Sequence, residues 1–394
     1  MVRKSNFARN SCEEHYATKS TLGWALMDAY LIGVRLKALR AEKGLSQNDL
    51  AQLFGFKDRQ TVSAIETGTR RMTATELMLA VEKLGAPLEY FTDPFQLVGE
   101  GRFSWRHTGV RVDQLKEYER AAGRWIAAYR ALAPQVGRDL PLMRRALGLT
   151  RNSRLKDAMV AGERFVAEFN LGELPATALI EVMERELGIL VLMVDAQQRI
   201  CGAACRLPEL DTVIVQRRAV EGRRNFVLAH ELFHILTWDA MPPKRSEEIR
   251  ETGGNRVEQL ANNFVAAVLM PASTLEQTGG WASLAGEDLI AQLNAVADKL
   301  RVTSSALRWR LASLGELKPA VARALPEDAL LNNGHKVVNG ATPALFSRRF
   351  FEILALAIET GYVSVSRIAD LLGLAIEDLA DLFATNGVAQ PVEL

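Results

Sequence analysis

A run of five residues, His230-Glu231-Leu232-Phe233-His234, constrains this 394-residue chain more than any other segment. The residues around it, 225–236, are mostly apolar and predict a buried helix. Positions i and i+4 share one face of a helix, so the two imidazoles can reach a single ion. Glu231 lies about 100° round the helix from His230, a position from which a carboxylate can orient a metal-bound water molecule rather than bind the metal itself. The run predicts a metal-dependent hydrolytic site; the alternative is two histidines satisfied in an ordinary core helix.

A third candidate ligand, Glu258, stands in the first turn of a second apolar helix predicted over 255–270. Catalytic zinc takes three protein ligands, and two histidines with one glutamate are a standard set. Asn262, one turn later on the same face, is placed to steady that ligand. The alternative is an acid that merely favours the N-terminus of a helix. We expect Zn²⁺ to be held by the two histidines and Glu258, with Glu231 as the general base.

The two segments together resemble the ImmA/IrrE family of bacterial metallopeptidases. One is the His-Glu-x-x-His helix, and the other reads Glu-x-x-Ala-Asn-x-Phe-x-Ala-x-x-Leu-Met-Pro. The resemblance covers about residues 140–316 and implies a zincin-like core. It implies zinc ligands at His230, His234 and Glu258 and a general base at Glu231. It also implies cleavage of a small helix-turn-helix repressor, which would derepress genes for stress response or defence.

Two questions about the activity stay open in the sequence. The first is which group stabilises the negatively charged carbonyl oxygen during hydrolysis. The candidates, without ranking, are Arg223, Arg224, Tyr118 and His107. The second is whether the chain is an enzyme at all, because a transcriptional regulator could use a peptidase-like domain as a sensor or dimeriser without proteolysis. The intact motif glutamate favours the enzyme, since a regulator has no chemical need for it.

Residues 31–93 predict a separate helix-turn-helix domain. Short helices follow one another with glycine turns between them, and Ser46 and Thr73 stand at capping positions. Residues 39–51 read Leu-Arg-x-x-x-Gly-Leu-Ser-Gln-x-x-Leu-Ala, and residues 61–70 read Thr-Val-Ser-x-Ile-Glu-x-Gly-x-Arg. Together they are similar to the Xre/Cro-like DNA-binding domain.

That resemblance implies that the third helix of the domain enters the major groove of DNA. The side chains it assigns to DNA contacts are Arg59, Gln60, Thr61 and Ser63. Gln47 would clamp a phosphate or brace the reading helix. Basic residues outnumber acidic ones between residues 35 and 71, as phosphate contact requires. The alternative is a protein-interaction module, which the acid Asp58 beside the third helix favours unless it is a helix cap.

The rest of the chain predicts an α+β protein, mainly α with one small sheet. Strands are expected over 189–194, 201–206 and 212–215, and an edge of this sheet could hold an extended substrate beside the metal. Further helices are expected over 112–132, 140–147, 155–169 and 176–187. The predicted order of domains is an N-terminal extension (1–30), the helix-turn-helix domain (31–93), a helical linker (94–139), the peptidase domain (140–316) and a C-terminal helical region (317–394).

Charge and cysteine content limit which partners and which cellular compartment can be expected. The chain has 48 basic and 47 acidic side chains, so net charge indicates no partner. Three cysteines, with no apolar leader and no long apolar run, favour the reducing cytoplasm and no membrane partner. We expect DNA and a protein substrate as partners, with a homodimer as the candidate assembly. A thiolate of Cys12, Cys201 or Cys205 could latch the zinc; idle cysteines are the alternative.

Overall fold

The structure is a computed structural model that describes residues 29–138, 142–197, 199–248, 255–330 and 342–392. The chain divides into two compact units, Met1–Gly101 and Arg102–Leu394. Helices dominate both units, and the strands of the second unit form a single sheet within the described residues. The expected α+β class is therefore confirmed. No helix in the described ranges combines the length and the apolar character that crossing a membrane requires.

Within residues 29–101, the first unit has five short helices. They are α1 (29–42), α2 (Gln47–Phe54), α3 (Arg59–Glu66), α4 (Ala74–Leu84) and α5 (Leu88–Thr92). The hydroxyl groups of Ser46 and Thr73 cap α2 and α4, each accepting a bond from a backbone N–H three residues on. Asp58 caps α3 in the same way, accepting from the Thr61 N–H at 3.0 Å. Side-chain caps satisfy amides that a short helix otherwise leaves without partners, so these caps set where the helices begin.

Apolar side chains from all five helices meet in the core of this unit. Leu36, Leu50 and Val62 are fully buried there. Gly33 of α1 lies directly against α3, because a Cβ at this position would be only 2.0 Å from the carbonyl oxygen of Ile65. Only glycine permits that approach, so the packing of α1 against α3 depends on this one residue.

The second unit is built on a five-stranded sheet. Its strands are β1 (Arg102–His107), β2 (Ile189–Val194), β3 (Ile200–Arg206), β4 (Asp211–Gln216) and β5 (Ser246–Glu248). They lie in the order β2-β4-β3-β1-β5. β3 runs antiparallel to both its neighbours, whereas the β2–β4 and β1–β5 pairs are parallel. The three strands that the sequence predicts are confirmed as β2, β3 and β4, and β3 lies in the interior of the sheet.

Helices surround this sheet and continue to the end of the described chain. They are α6 (Val112–Leu132), α7 (Leu155–Glu168), α8 (Pro175–Arg185), α9 (Glu221–Thr237), α10 (Arg256–Leu269), α11 (Ala272–Glu276), α12 (Gly286–Leu300), α13 (Ser304–Leu314), α14 (Pro319–Ala324), α15 (Arg348–Glu359), α16 (Val365–Leu372) and α17 (Ile376–Thr385). Single 3₁₀ turns lie at Trp281–Ser283 and Glu327–Ala329. α14 to α17 form the expected C-terminal helical region.

The position of α9 follows from its composition. From Val227 to Thr237 every residue is buried, because this helix is covered by the sheet on one side and by other helices elsewhere. α10 packs against both α9 and α7. At Gly162 of α7 a Cβ would lie 2.7 Å from the carbonyl oxygen of Phe264, so α7 and α10 are in backbone contact. α10 is thereby held firmly against α7 while it packs on α9, and such support is what a site shared between α9 and α10 requires.

Two expectations for residues 94–147 are wrong. Residues 94–139 are not a simple helical linker, because 102–107 form strand β1 inside the sheet, where Trp105 is fully buried. The partners of β1 lie about a hundred residues later in β3, with Ser104 opposite Ala204, so no local pattern reports this pairing. The helix expected over 140–147 is also absent from the described residues 142–147. There the backbone instead bonds to the last turns of other helices, as the Leu147 N–H does to the carbonyl of Leu236.

Candidate metal centre and DNA-binding surface

The sheet places the motif helix. α9 crosses β3 and β4, and its Val227 lies over Gly202 of β3. A Cβ on Gly202 would be 2.6 Å from Cγ1 of Val227 and 3.7 Å from Cγ of Glu231. Glycine at this point therefore allows the helix to lie close to the strand, with Glu231 buried on the sheet side. His230 and His234 are also buried, and their Nε2 atoms are 3.0 Å apart.

The first turn of α10 brings the third residue to this pair. Asn255 caps the helix by accepting from the N–H groups of Val257 and Glu258. One carboxylate oxygen of Glu258 lies 3.3 Å from Nε2 of His230, and the other lies 3.4 Å from Nε2 of His234. The structure thus brings together the three residues that the sequence singles out as ligands, from two helices. We call His230, His234 and Glu258 the ligand triad.

The spacing of the triad fits a zinc ion. Its possible ligand atoms all lie within 4.8 Å of one another, and the three contacts measured are 3.0, 3.3 and 3.4 Å. Ligand atoms about 2.0–2.1 Å from a tetrahedral zinc ion are about 3.3 Å from each other. The donor set, two imidazole nitrogens and a carboxylate, is also one that zinc prefers.

Burial keeps the imidazole of His230 in the form that binds metals. Loss of hydration, with the positive charge of Arg106 nearby, lowers the pKa of His230 to about 3. The ring is therefore neutral at pH 7 and has a nitrogen lone pair to offer. Phe226, one turn earlier on α9, stacks against this ring with centroids 6.1 Å apart. The apolar neighbour both dehydrates the ring and restricts its orientation.

Arg106 of β1 is a site residue that the sequence reasoning missed. Its Nη1 donates to Nε2 of His230 at 2.6 Å and to a carboxylate oxygen of Glu258 at 2.8 Å. The β1–β3 register shifts between Arg106 and His107, and such irregularities commonly redirect a side chain beside a site. The available signal was the aromatic-rich, alternating segment Arg-Phe-Ser-Trp-Arg at 102–106, which indicates a strand rather than a linker.

Of the four groups expected to stabilise a carbonyl oxyanion, three make contacts elsewhere. Arg224 donates to backbone carbonyls, including that of Ala219 at 2.6 Å. His107 bonds to Ser246 at 2.6 Å, and Tyr118 packs in an aromatic cluster with its hydroxyl buried. Arg223 is exposed on the first turns of α9. Arg106, which contacts the triad directly, is the better candidate.

The cysteines do not lie where a latch at a sheet edge would need them. β3, which carries Cys201 and Cys205, lies in the interior of the sheet between β4 and β1 and not at an edge. Burial raises the pKa of both thiols, most strongly at the fully buried Cys205. Zinc binds the thiolate form, so this shift opposes a latch. Cys12 lies outside the described residues.

The candidate DNA-contacting residues lie on α3. Arg59 and Gln60 are exposed, and Ser63 is half-buried beside them on a shallow groove that also includes Thr67. Thr61 is half-buried and its hydroxyl lies 3.3 Å from the capping carboxylate of Asp58. Asp58 therefore caps α3, which removes the main objection to a DNA-facing surface here.

Gln47 has a bracing position. Its side-chain amide donates to Glu66 at 2.8 Å, and Arg40 contacts the same carboxylate at 2.5 Å. Glu66 is buried at the end of α3, so these bonds tie α1 and α2 to the helix that would enter the groove. Between the two roles considered for Gln47, the contacts favour bracing.

Two family models match separate parts of the chain. A family model described as helix-turn-helix matches residues 36–91. A second, described as the IrrE N-terminal-like domain and belonging to a peptidase family, matches residues 184–311, which include the whole ligand triad. No individual curated protein matches the chain. The chain thus carries a helix-turn-helix domain over residues 36–91 and a peptidase-like domain of the ImmA/IrrE type over residues 184–311.

Proposed function

We propose that this chain is a zinc-dependent endopeptidase coupled to DNA binding, and that it cleaves a small helix-turn-helix repressor to derepress stress or defence genes. One observation carries the proposal. Two imidazole nitrogens and a carboxylate, from two helices, lie at the mutual distances of a tetrahedral zinc site. Beside them lies Glu231, a buried carboxylate at the motif's general-base position.

Each residue of the site then has a chemical task. His230, His234 and Glu258 hold the ion, which when bound would polarise the scissile carbonyl and make a water molecule more acidic. Glu231 accepts a proton from the attacking water and delivers it to the leaving amine nitrogen as the C–N bond breaks. Arg106 provides a positive charge for the carbonyl oxygen as it becomes negative.

The helix-turn-helix domain would recruit the enzyme to specific sites on DNA. We assign DNA contacts to the exposed Arg59 and Gln60 with Thr61 and Ser63, and a bracing role to Gln47 through Glu66. DNA binding would concentrate the chain near the operator at which its substrate repressor acts. Recruitment of this kind raises the local concentration of the substrate and needs no contact between the DNA-binding domain and the peptidase domain.

A second candidate function has one observation in its favour. The guanidinium of Arg106 already satisfies His230 and Glu258, so the triad has a charge-balanced arrangement without an ion. A regulator whose peptidase-like domain serves as a sensor or dimeriser would retain such an arrangement. The intact carboxylate of Glu231 weighs against this alternative.

The deciding experiment compares zinc content with cleavage. The purified chain is incubated with the small helix-turn-helix repressor encoded nearest to it, with and without zinc, and products are identified by mass spectrometry. We expect one zinc per chain and cleavage at a defined bond. Glu231→Gln should retain zinc and lose about 10²–10⁴-fold in rate. Glu221→Gln, at the half-buried start of the same helix where Glu221 pairs with Arg301, is the matched control and should cleave normally.

Two results would contradict the proposal. Zinc binding by His230→Ala equal to that of the unmodified chain would show that the metal lies elsewhere. Operator binding in a gel-shift assay, with the repressor left intact by the zinc-loaded chain, would favour the regulator instead.

A further inference from the structure

A cavity of about 520 Å³ begins one helical turn from the ligand triad. Its near wall consists of Phe226 of α9 and Asn262 and Ala266 of α10. Phe226 precedes His230 by four residues, and Asn262 follows Glu258 by four residues, so both lie about 6 Å along their helices from the triad. Phe226 also stacks on His230. The cavity and the candidate metal centre therefore share a wall.

The far wall is built from α13 and the turn after α14. Ala306 and Trp309 of α13 face the cavity, and Leu330 closes its end. Trp309 is 45% exposed although it is a large aromatic residue. Exposed tryptophan beside a cavity is typical of binding surfaces, because it offers a large apolar face with little loss of side-chain entropy. The alanines at 266 and 306 leave the space between the walls open.

Charged groups at the cavity wall are already paired. Arg310 bonds to Glu163 and to the carbonyl of Met270, and Glu327 bonds to Arg308. Beyond the exposed Arg223, the described wall otherwise offers apolar surface and neutral hydrogen-bonding groups. A positively charged side chain would lose hydration here without gaining a partner, because the lining acid Glu327 already bonds to Arg308. The lining instead matches an apolar group attached to a peptide backbone.

We propose that this cavity is the subsite that binds a bulky apolar side chain of the substrate, next to the scissile bond. The proposal rests on the proposed function, because it assumes that a peptide lies across the triad. The volume falls within the range of about 300–1,000 Å³ that is usual for ligand pockets. Burying an aromatic or long aliphatic side chain here should favour cleavage by about 10-fold or more over alanine.

Cleavage specificity provides the first test. The zinc-loaded chain digests a library of proteome-derived peptides, and mass spectrometry records the residues on either side of each cut. We expect Phe, Leu, Met, Tyr or Trp to be enriched at one position. Ala306→Phe narrows the cavity and should shift that preference to smaller residues. Ala384→Phe, on the exposed face of α17, is the matched control and should leave the profile unchanged.

Binding without turnover provides the second test. The full chain is labelled with 5-fluorotryptophan, and Trp309→Phe identifies the resonance of Trp309 among six tryptophans. The probes are acetyl-Ala-Ala-Phe-Ala-Ala-amide and the same peptide with Ala in place of Phe. We expect only the Phe peptide to shift the Trp309 resonance, and we expect Ala306→Phe to abolish that shift.

The two tests separate the failure of this inference from the failure of the proposed function. Cleavage whose specificity is the same in Ala306→Phe and in the unmodified chain, with an unmoved Trp309 resonance, would overturn the subsite and leave the peptidase intact. A shift of Trp309 by the Phe peptide, with no cleavage of any peptide, would support the binding site and overturn the proteolytic function.

Discussion

Replacing Gly202 by alanine should separate the motif helix from the sheet. The added Cβ would lie 2.6 Å from Cγ1 of Val227 and 2.9 Å from the carbonyl oxygen of Ile214. Carbon atoms in contact normally stay about 3.5–4.0 Å apart, so roughly 1 Å must open between α9 and β3. Ile214 O is backbone of the paired strand β4, and Val227 has one strongly preferred rotamer in a helix. Neither can move aside cheaply, so the helix itself must shift.

Overpacking of this kind costs about 1–3 kcal/mol in stability. Helix α9 carries His230, His234 and Glu231, whereas Glu258 stands on α10, so the shift also distorts the triad. A misplacement of about 1 Å in a catalytic site can reduce a rate by about 10²-fold. We expect Gly202→Ala to lower the Tm by several degrees, to weaken zinc binding, and to slow repressor cleavage more than the lost stability explains.

The assay is differential scanning calorimetry with zinc titration, performed on matched variants. Gly279→Ala is the control, because Gly279 is exposed, and the nearest atom to its added Cβ is 3.6 Å away. Val227→Ala removes the atom that clashes, so the double variant should be more stable than the sum of the two single effects predicts. A Tm for Gly202→Ala equal to that of Gly279→Ala would refute the close contact between α9 and β3.

Three further predictions concern single side chains. Arg106→Ala should bind zinc about 10-fold more tightly in a chelator competition, because the guanidinium that competes with the ion is gone. The variant should nevertheless cleave more slowly, because the positive charge that stabilises the carbonyl oxygen is also gone. Weaker zinc binding by the variant would contradict this prediction. Burial raises the pKa of Glu184 from 4.5 to about 7, so stability should fall as pH rises from 4.5 to about 7 and level off above that. Glu184→Gln should remove that fall, and identical Tm–pH profiles for the variant and the unmodified chain would refute the prediction. Glu66→Ala leaves Arg40 and Gln47 without their shared acceptor, so DNA affinity measured by gel shift should drop. The control is Glu82→Ala, on the exposed face of α4, which should bind DNA as the unmodified chain does.

Much of the local structure could be predicted because its causes are local. The bounds of α6, 112–132, follow from the 3.6-residue period of its apolar positions. Ser46 and Thr73 indicate where α2 and α4 begin because a cap bonds to amides within three residues. Strands β2 and β4 read as short apolar runs. Glu258 could be chosen as the third ligand because the apolar positions of the surrounding segment repeat with the period of a helix.

Where sequence reasoning failed, the cause lies far away along the chain. Strand β1 is held by pairing with β3, and the backbone of 142–147 by the ends of α8 and α9. Arg106 reaches the triad only because β1 occupies its place in the sheet. Arg224 and His107 had the right chemistry but bond elsewhere, which composition does not reveal.

The sequence by itself determined the helices, their caps and the identity of the two imidazoles and two carboxylates, because helix periodicity and motif spacing act over a few residues. The tertiary structure alone decided which cation meets the triad and which cavity adjoins it. Both depend on β1 and α13, elements seventy or more residues from the motif, and such contacts follow from packing rather than from local pattern.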